Sequence, residues 1–470
     1  MVRFELDGRE VTFAEHPTTT LLQWLRATGR VGTKEGCAEG DCGACSVVVS
    51  DPTTGRWRVV NSCLVPVPSV AGLQVRTVEG LPQPHPAQTS LVTALGSQCG
   101  FCTPGFVMTL FEACHRTDLA PGWKRDDQLC GNLCRCTGYR PIRDALDAVA
   151  GTHPDDGLTP RQEPFAPVAL SAEGGTWSAP TEVSEAVAFL AAHPDATVIS
   201  GATDLGLQIT QRHTRFPALL DVGRLHELRG VSPIADGVRL GAATPLVDLE
   251  DWSADALPVL HRMLRFFGSR QIKHRATLGG NLCNASPIGD LPPVVLALGG
   301  TLVLRSVAGE RRVPADAFFE GYRRTARRPD ELLVAVELPT APTTMRLGAY
   351  KVSRRRELDI SVVSACFAVD VDAGGIVTAA RLAYGGVAAT PIRATAAERA
   401  LLGQPWTEAA VDAASALLRT TFTPLTDHRG TAEYRHRLAA NLLRGFFDET
   451  RTRPFVALSD RPTATVSEAL

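Results

Sequence analysis

Eight cysteines in the first third of the chain fall into two spacings that suit metal clusters. The first set is Cys37-x4-Cys42-x2-Cys45, with Cys63 further on. The second is Cys99-x2-Cys102, followed later by Cys134-x-Cys136. One [2Fe–2S] cluster takes four thiolates, and the first spacing is one known to hold it. Gly36, Gly40 and Gly43 let that loop wrap closely and turn N–H groups toward sulfur. Such donors stabilise the negative charge of a cluster and tune its potential. Zinc is the competing use of cysteine, but it favours short paired hooks, and three cysteines on one Gly-rich loop fit it poorly. The second set leaves more open. Cys99-Gly100-Phe101-Cys102 suits a cluster, a redox pair or half a zinc hook. Cys130, four residues before Cys134, is a rival ligand by spacing. Two clusters in tandem would move electrons one at a time.

Other segments offer weaker chemistry. No G-x-G-x-x-G follows a strand and no Walker A sequence is present. Val198-Ile199-Ser200-Gly201-Ala202-Thr203-Asp204-Leu205 reads as a strand, a Gly-containing turn and a helix. Backbone N–H groups of such a turn can cradle a pyrophosphate, although an ordinary strand–helix turn has the same pattern. Ala276-Thr277-Leu278-Gly279-Gly280-Asn281, continuing to Asp290, pairs glycines for close approach with side chains that can bond polar cofactor edges. The charge run Arg354-Arg355-Arg356-Glu357-Leu358-Asp359 reads by itself as a solvated face. The eleven histidines form no His-x-x-x-His pair, and none is given a catalytic role.

The elements that must position these residues can be read by periodicity. Residues 2–6 and 10–13 make a hairpin about Asp7-Gly8, and 20–28 a helix ending before Gly29. Strands are expected at 46–49 and 56–63, helices at 105–115 and 142–150. A Pro-rich stretch, 152–180, reads as a linker. A helix at 182–193 and a strand at 197–199 follow, then mixed strands and helices to about residue 340. From 347 on, strands give way to helices at 394–402, 407–419 and 432–447. The chain's 470 residues suggest about three domains. A net charge of -2 gives no general attraction to nucleic acid or to an acidic membrane. The N-terminus reads as a strand, not a leader, and the longest apolar run, 291–304, is too short to span a bilayer. Reduced thiols in a long chain without a leader point to the cytoplasm.

Gln98-Cys99-Gly100-Phe101-Cys102-Thr103-Pro104-Gly105 and Gly131-Asn132-Leu133-Cys134-Arg135-Cys136-Thr137-Gly138-Tyr139 resemble the iron–sulfur segments of the molybdenum hydroxylases, the xanthine dehydrogenase and aldehyde oxidase family. The resemblance implies that Cys99, Cys102, Cys134 and Cys136 hold a [2Fe–2S] cluster nearer the molybdenum. It places the ferredoxin-like cluster of Cys37, Cys42, Cys45 and Cys63 nearer the flavin. Cys130 is then no ligand, and Cys114, Cys283 and Cys366 pack as small apolar side chains. Implied FAD contacts are Val198, Ile199, Ser200, Gly201, Ala202, Thr203, Asp204, Leu205, Thr277, Asn281 and Asp290. Phe267 would lie against the ring, with Leu333 and Lys351 near it. Ala202-Thr203-Asp204 stands where xanthine dehydrogenases often have Asn-Thr-Glu, a carboxylate one methylene shorter. Residues 354–359 match a segment over the flavin that helps choose NAD or oxygen; Leu358 stands where several members have an acid.

The fold class so implied is α+β multidomain. Its parts are a β-grasp [2Fe–2S] ferredoxin-like domain (1–83), a helical-bundle [2Fe–2S] domain (84–152), a linker (153–176), a vanillyl-alcohol-oxidase type FAD domain (177–342), a carbon monoxide dehydrogenase flavoprotein type C-terminal domain (343–450) and a loose tail (451–470). No molybdopterin-binding segment follows residue 470, which resembles the small subunits of bacterial members acting on xanthine. The implied role is to pass electrons from hypoxanthine or xanthine, oxidised on a partner, through both clusters to FAD and NAD. That partner would be a molybdopterin-binding large subunit, in a heterotetramer of two small and two large subunits. No residue for purine hydroxylation, no nucleic acid and no membrane are expected on this chain. Alternatives are an aldehyde or other N-heterocycle as substrate, oxygen as acceptor, or a non-catalytic electron-transfer or metal-sensing module.

Overall fold

The computed structural model describes residues 1–120, 122–356 and 358–451. They form two compact units: Met1–His226 with Gly268–Ala276, and Glu227–Phe267 with the chain from Thr277 on.

In the first unit, β1 (Val2–Leu6) and β2 (Arg9–Phe13) pair antiparallel. Asp7 (φ +50°) and Gly8 (φ +82°) supply the left-handed backbone that a two-residue hairpin turn demands. Helix α1 (Leu21–Ala27) starts with a capping box: Thr20 Oγ1 accepts from Gln23 N at 3.2 Å, and Gln23 Oε1 accepts from Thr20 N at 3.0 Å. Strands β3 (Ser46–Asp51), β4 (Arg56–Asn61) and β5 (Gln74–Arg76) complete a sheet of order β2-β1-β5-β3-β4, with only β1 and β5 parallel. This is the expected β-grasp arrangement.

Helices α2 (Pro86–Thr93), α3 (Thr103–Cys114), α4 (Gly122–Cys130) and α5 (Arg140–Val149) follow. Phe106, Met108, Leu110, Phe111, Ile142 and Leu146 share a core with Trp57 and Val59 of β4. Two of these helices, α2 and α4, went unread in the sequence. Helix α4 has little apolar periodicity because it buries Asp127 and Gln128 instead. The stretch read as a linker also contains structure. Strands β6 (Val168–Ala172) and β7 (Gly175–Ala179) join β8 (Thr197–Ile199) and β9 (Ala218–Asp221) in the order β6-β7-β9-β8. Their Ala, Ser and Gly content masks the alternation, yet Trp177 is fully buried. Helices α6 (Val183–Ala192) and α7 (Leu205–Arg212) flank β8 in sequence.

Among the described residues the second unit holds two larger antiparallel sheets beside the two-stranded pair Phe319–Gly321 and Arg324–Thr325. One runs Val231–Ile234, Gly237–Gly241, Leu332–Pro339, Thr301–Ser306, Gly309–Pro314. The other runs Met345–Val352, Val363–Val371, Val377–Gly385, Ile392–Arg393. Helices Glu408–Thr421 and Ala432–Thr450 close the core of the latter, around Phe367, Tyr384, Leu443 and Phe446. The expected tail lies outside the described residues, apart from Arg451. Among the described residues no helix is long and apolar enough to cross a membrane.

Residues 268–276 belong to the first unit, although the chain on either side belongs to the second. Charged contacts hold them. Lys273, fully buried, donates to Asp127 Oδ1 at 2.6 Å, and Arg270 pairs with Glu112 at 2.9 Å. His274 Nδ1 donates to Val59 O at 2.7 Å. Buried charges survive only when paired. Asp127→Ala, which strips Lys273 of that carboxylate, should cost about 3–5 kcal/mol of stability. Asp127→Leu with Lys273→Met should cost clearly less. Urea unfolding followed by tryptophan fluorescence checks this, and equal losses would show that the pairing does not anchor the segment.

Candidate iron–sulfur and flavin sites

The first cysteine loop winds about its own sulfurs. Ala38 (φ +55°), Gly40 (φ +80°) and Gly43 (φ +68°) take left-handed conformations, and the N–H groups of Glu39 and Cys42 each point at Cys37 Sγ, 3.4 Å away. A Cβ at Gly36 would come within 2.9 Å of Cys42 Sγ. Cys63 is brought in by the turn Ser62–Leu64 after β4. The thiols meet two by two, Cys37 with Cys42 and Cys45 with Cys63. The hydrogen bond from Cys42, helped by backbone N–H groups and opposed by burial, holds the Cys37 thiol down at about 5. Cys42 is pushed up by giving that bond and by burial. Cys45 is lowered by its bond from Cys63, and Cys63 is raised by giving it.

The second set is also paired, Cys99 with Cys136 and Cys102 with Cys134. A bond from Phe101 N–H, then one from Cys136, lowers Cys99. Burial first, and then the bond to Cys134, pushes Cys102 up to about 12. Cys134 is lowered despite burial, chiefly by Thr137, whose Oγ1 lies 3.2 Å from the sulfur. Cys130 instead points its thiol at Asp127 O, 3.3 Å away on its own helix. Among the described residues no three His, Cys, Asp or Glu side chains close round a single-ion position. A [2Fe–2S] cluster takes four thiolates, and the two thiol pairs of each set would supply them. Metal binding would release the protons still shared within each pair.

The two loops touch. Leu133 N donates to Cys42 O at 2.9 Å, and Lys34 Nζ donates to Gly100 O at 3.1 Å. A Cβ on Gly43 would lie 2.1 Å from Gly131 O, and one on Gly105 2.2 Å from Gly43 O. On its other side the first loop meets α7. Thr210 Oγ1 donates to Ala38 O at 2.6 Å and Gln211 Nε2 to Cys37 O at 3.1 Å. Helix α7 opens at the end of 198–205, in which Ala202 is left-handed (φ +63°). A Cβ at Gly201 would strike Arg275 O at 1.8 Å. One unit thus carries both cysteine sets and the first expected FAD segment in contact.

Phe267, Thr277, Asn281, Asp290, Leu333 and Lys351 lie in the second unit. Thr277 caps Leu278–Cys283, accepting from Gly280 N at 3.2 Å, and Gly279 N donates to Ala242 O at 2.8 Å. Lys351 Nζ reaches Asp290 Oδ2 at 2.8 Å and Phe266 O at 2.9 Å, while Ser361 Oγ bonds the other oxygen of Asp290. Leu333 is buried in its strand and Phe267 is half-buried. Asn281 Oδ1 is buried without a hydrogen-bond partner. That orphaned acceptor fits a polar ligand at this segment. Arg355 is bonded within the charge run, its N–H to Asp359 Oδ2 at 2.8 Å; Leu358 is left-handed (φ +59°), and Glu357 lies outside the described residues.

Four families match in order along the chain. They are the 2Fe-2S iron-sulfur cluster binding domain (4–67), the [2Fe-2S] binding domain (77–147), the FAD binding domain in molybdopterin dehydrogenase (170–341) and the CO dehydrogenase flavoprotein C-terminal domain (348–450). A chain of the carbon monoxide dehydrogenase from Hydrogenophaga pseudoflava is 31% identical, with a TM-score of 0.55, covering 60% of this chain and 96% of that one. The chain belongs to the molybdenum hydroxylase family. It carries two [2Fe–2S] domains and an FAD domain, and its part is electron transfer through them. Xanthine dehydrogenase of Emericella nidulans is 34% identical over 99% of this chain but only 40% of that protein. A chain of quinoline 2-oxidoreductase from Pseudomonas putida 86 is 28% identical (TM-score 0.53; 57% of this chain, 94% of that one). The chain thus spans about two fifths of the length of the curated relatives it matches.

What the sequence missed is the junction. From sequence alone neither Asn132 nor residues 269–275 receive a role. The available signal was a buried acid on α3 and α4, Glu112 and Asp127, needing cations.

In cluster-free protein at neutral pH, iodoacetamide should label Cys37 well before Cys42, read by peptide mass spectrometry. Equal rates would contradict the thiolate placed at Cys37.

Proposed function

We propose that this chain is the iron–sulfur/FAD electron-transfer subunit of a molybdenum-dependent xanthine dehydrogenase. The observation that carries the reading is the contact series in one unit: second cysteine set, first cysteine set, α7, residues 198–205. The xanthine dehydrogenase names of relatives matching nearly the whole chain support the substrate.

On this reading Cys37, Cys42, Cys45 and Cys63 bind one cluster, and Cys99, Cys102, Cys134 and Cys136 the other. Residues 198–205, Phe267, Thr277, Asn281, Asp290, Leu333 and Lys351 contact FAD. When bound, the clusters exchange single electrons and the flavin joins them to two-electron hydride chemistry. The chain's own residues hold these groups: glycines and left-handed turns present N–H groups to sulfur, and Lys351 fixes Asp290. Electrons would come from hypoxanthine or xanthine on a molybdopterin-binding partner, in a two-plus-two heterotetramer, and leave to NAD in the cytoplasm. The domain limits proposed are 1–83, 84–152, 177–342 and 343–450, with 153–176 between the second and third and 451–470 as a tail.

The likeness to quinoline 2-oxidoreductase favours one second reading, the same role with another N-heterocycle. Purifying the chain with its native partner and assaying xanthine with NAD+ and with oxygen separates these. NADH production from xanthine by the complex, and none by the chain alone, is expected. Turnover of xanthine by the isolated chain would overturn the subunit reading, and turnover of quinoline but not xanthine would select the second.

Two variants test the ligand set. Cys134→Ser should remove one cluster's visible absorption, about half of the iron–sulfur contribution beside the flavin band, and Cys130→Ser should leave the spectrum unchanged. Loss on Cys130→Ser alone would reverse the choice.

A further inference from the structure

We propose that Asn132 is a positioning residue whose side-chain amide sets the separation and orientation of the two cysteine loops, and so the rate of electron transfer between the clusters they hold. This rests on the reading of both cysteine sets as [2Fe–2S] ligands.

Asn132 is 2% exposed and bonded at both ends of its amide. Nδ2 donates to Gly43 O at 3.0 Å, between Cys42 and Cys45 in the first loop. Oδ1 accepts from Thr109 Oγ1 at 2.7 Å and from Gln271 Nε2 at 2.9 Å. Thr109 lies on α3, which begins directly after Cys102, and Asn132 itself stands two residues before Cys134. The amide therefore ties the first loop to both segments of the second set. Its next residue makes the Leu133 N–H bond to Cys42 O.

The space is built for this group. A Cβ on Gly43 would meet Asn132 Nδ2 at 2.6 Å, one on Gly105 would meet it at 2.9 Å, and one on Gly131 would strike Gln271 Oε1 at 1.8 Å. Only an amide serves. A carboxylate would set oxygen against the Gly43 carbonyl, and an aliphatic side chain would strand the Thr109 and Gln271 donors. Electron tunnelling falls exponentially with distance, so a loosened loop contact slows transfer without removing a ligand.

The test is Asn132→Ala in the full chain. Electron paramagnetic resonance of the reduced protein gives the spin of each cluster and the magnetic splitting between them. Freeze-quench after rapid reduction gives the rate at which the clusters equilibrate. Expected are two clusters at full occupancy, an altered splitting and equilibration slower by about tenfold or more. Thr109→Val, which removes one donor, should shift both readouts less in the same direction, and Thr109→Ser should restore them. Unaltered splitting and rate in Asn132→Ala would overturn the inference, as would loss of a cluster, which marks a merely structural role. Should Asn132→Ala not fold, unaltered readouts in Thr109→Val would overturn it. A wild-type chain lacking two cluster signals would instead overturn the functional reading beneath it.

Discussion

The backbone contact at Gly43 is the constraint on which the first unit depends. The turn that folds the first loop round its own sulfurs also presents the Cys42 and Gly43 carbonyls to Leu133 and Asn132. A Cβ at Gly43 or Gly105 would strike the backbone of the facing cysteine segment, and one at Gly131 would strike Gln271, so glycine stands at all three. Neighbouring metal sites are costly to arrange because each loop must be rigid and both must approach. Here one set of close contacts does both, and the reach from Cys134 to Cys42 is a single hydrogen bond through Leu133.

What surrounds that contact keeps it dry and fixed. Gln271, on the segment 268–276, completes the amide of Asn132, and the same segment brings Lys273 to Asp127 and Arg270 to Glu112. These are expensive groups to bury, repaid only when their geometry is satisfied. They therefore make a poor general adhesive but a specific one: the segment fits in one register. On the far side of the first loop, Thr210 and Gln211 place α7, and with it residues 198–205, against Ala38 and Cys37. The second unit repeats the theme locally, where Asp290 is held between Lys351 and Ser361.

Much of this was legible in the sequence and some was not. The cysteine spacing announced the first set because three cysteines and their three glycines share ten consecutive residues, 36–45. The second set is split between the turn before α3 and the α4–α5 turn, so local spacing could not choose between Cys130 and Cys134. The fold places the Cys130 thiol on the Asp127 carbonyl, and the other thiols pair. Helices with an apolar stripe, such as α3, were readable; α4 was not, since its inward face is Asp127 and Gln128. Strands β6 and β7 were hidden in a Pro-rich stretch by their Ala, Ser and Gly content. Residues 269–275 went unread for the same reason as α4. Pattern rules assume that charge faces water, and here it faces charge.

The central claim is that one chain holds two clusters in contact with a flavin-binding segment. Its most direct test is iron and acid-labile sulfide analysis of the chain expressed alone and reconstituted, with flavin released and counted. About four irons, four sulfides and one FAD per chain are required. A protein that binds only zinc, or about two irons with one cysteine set freely alkylated, would contradict it.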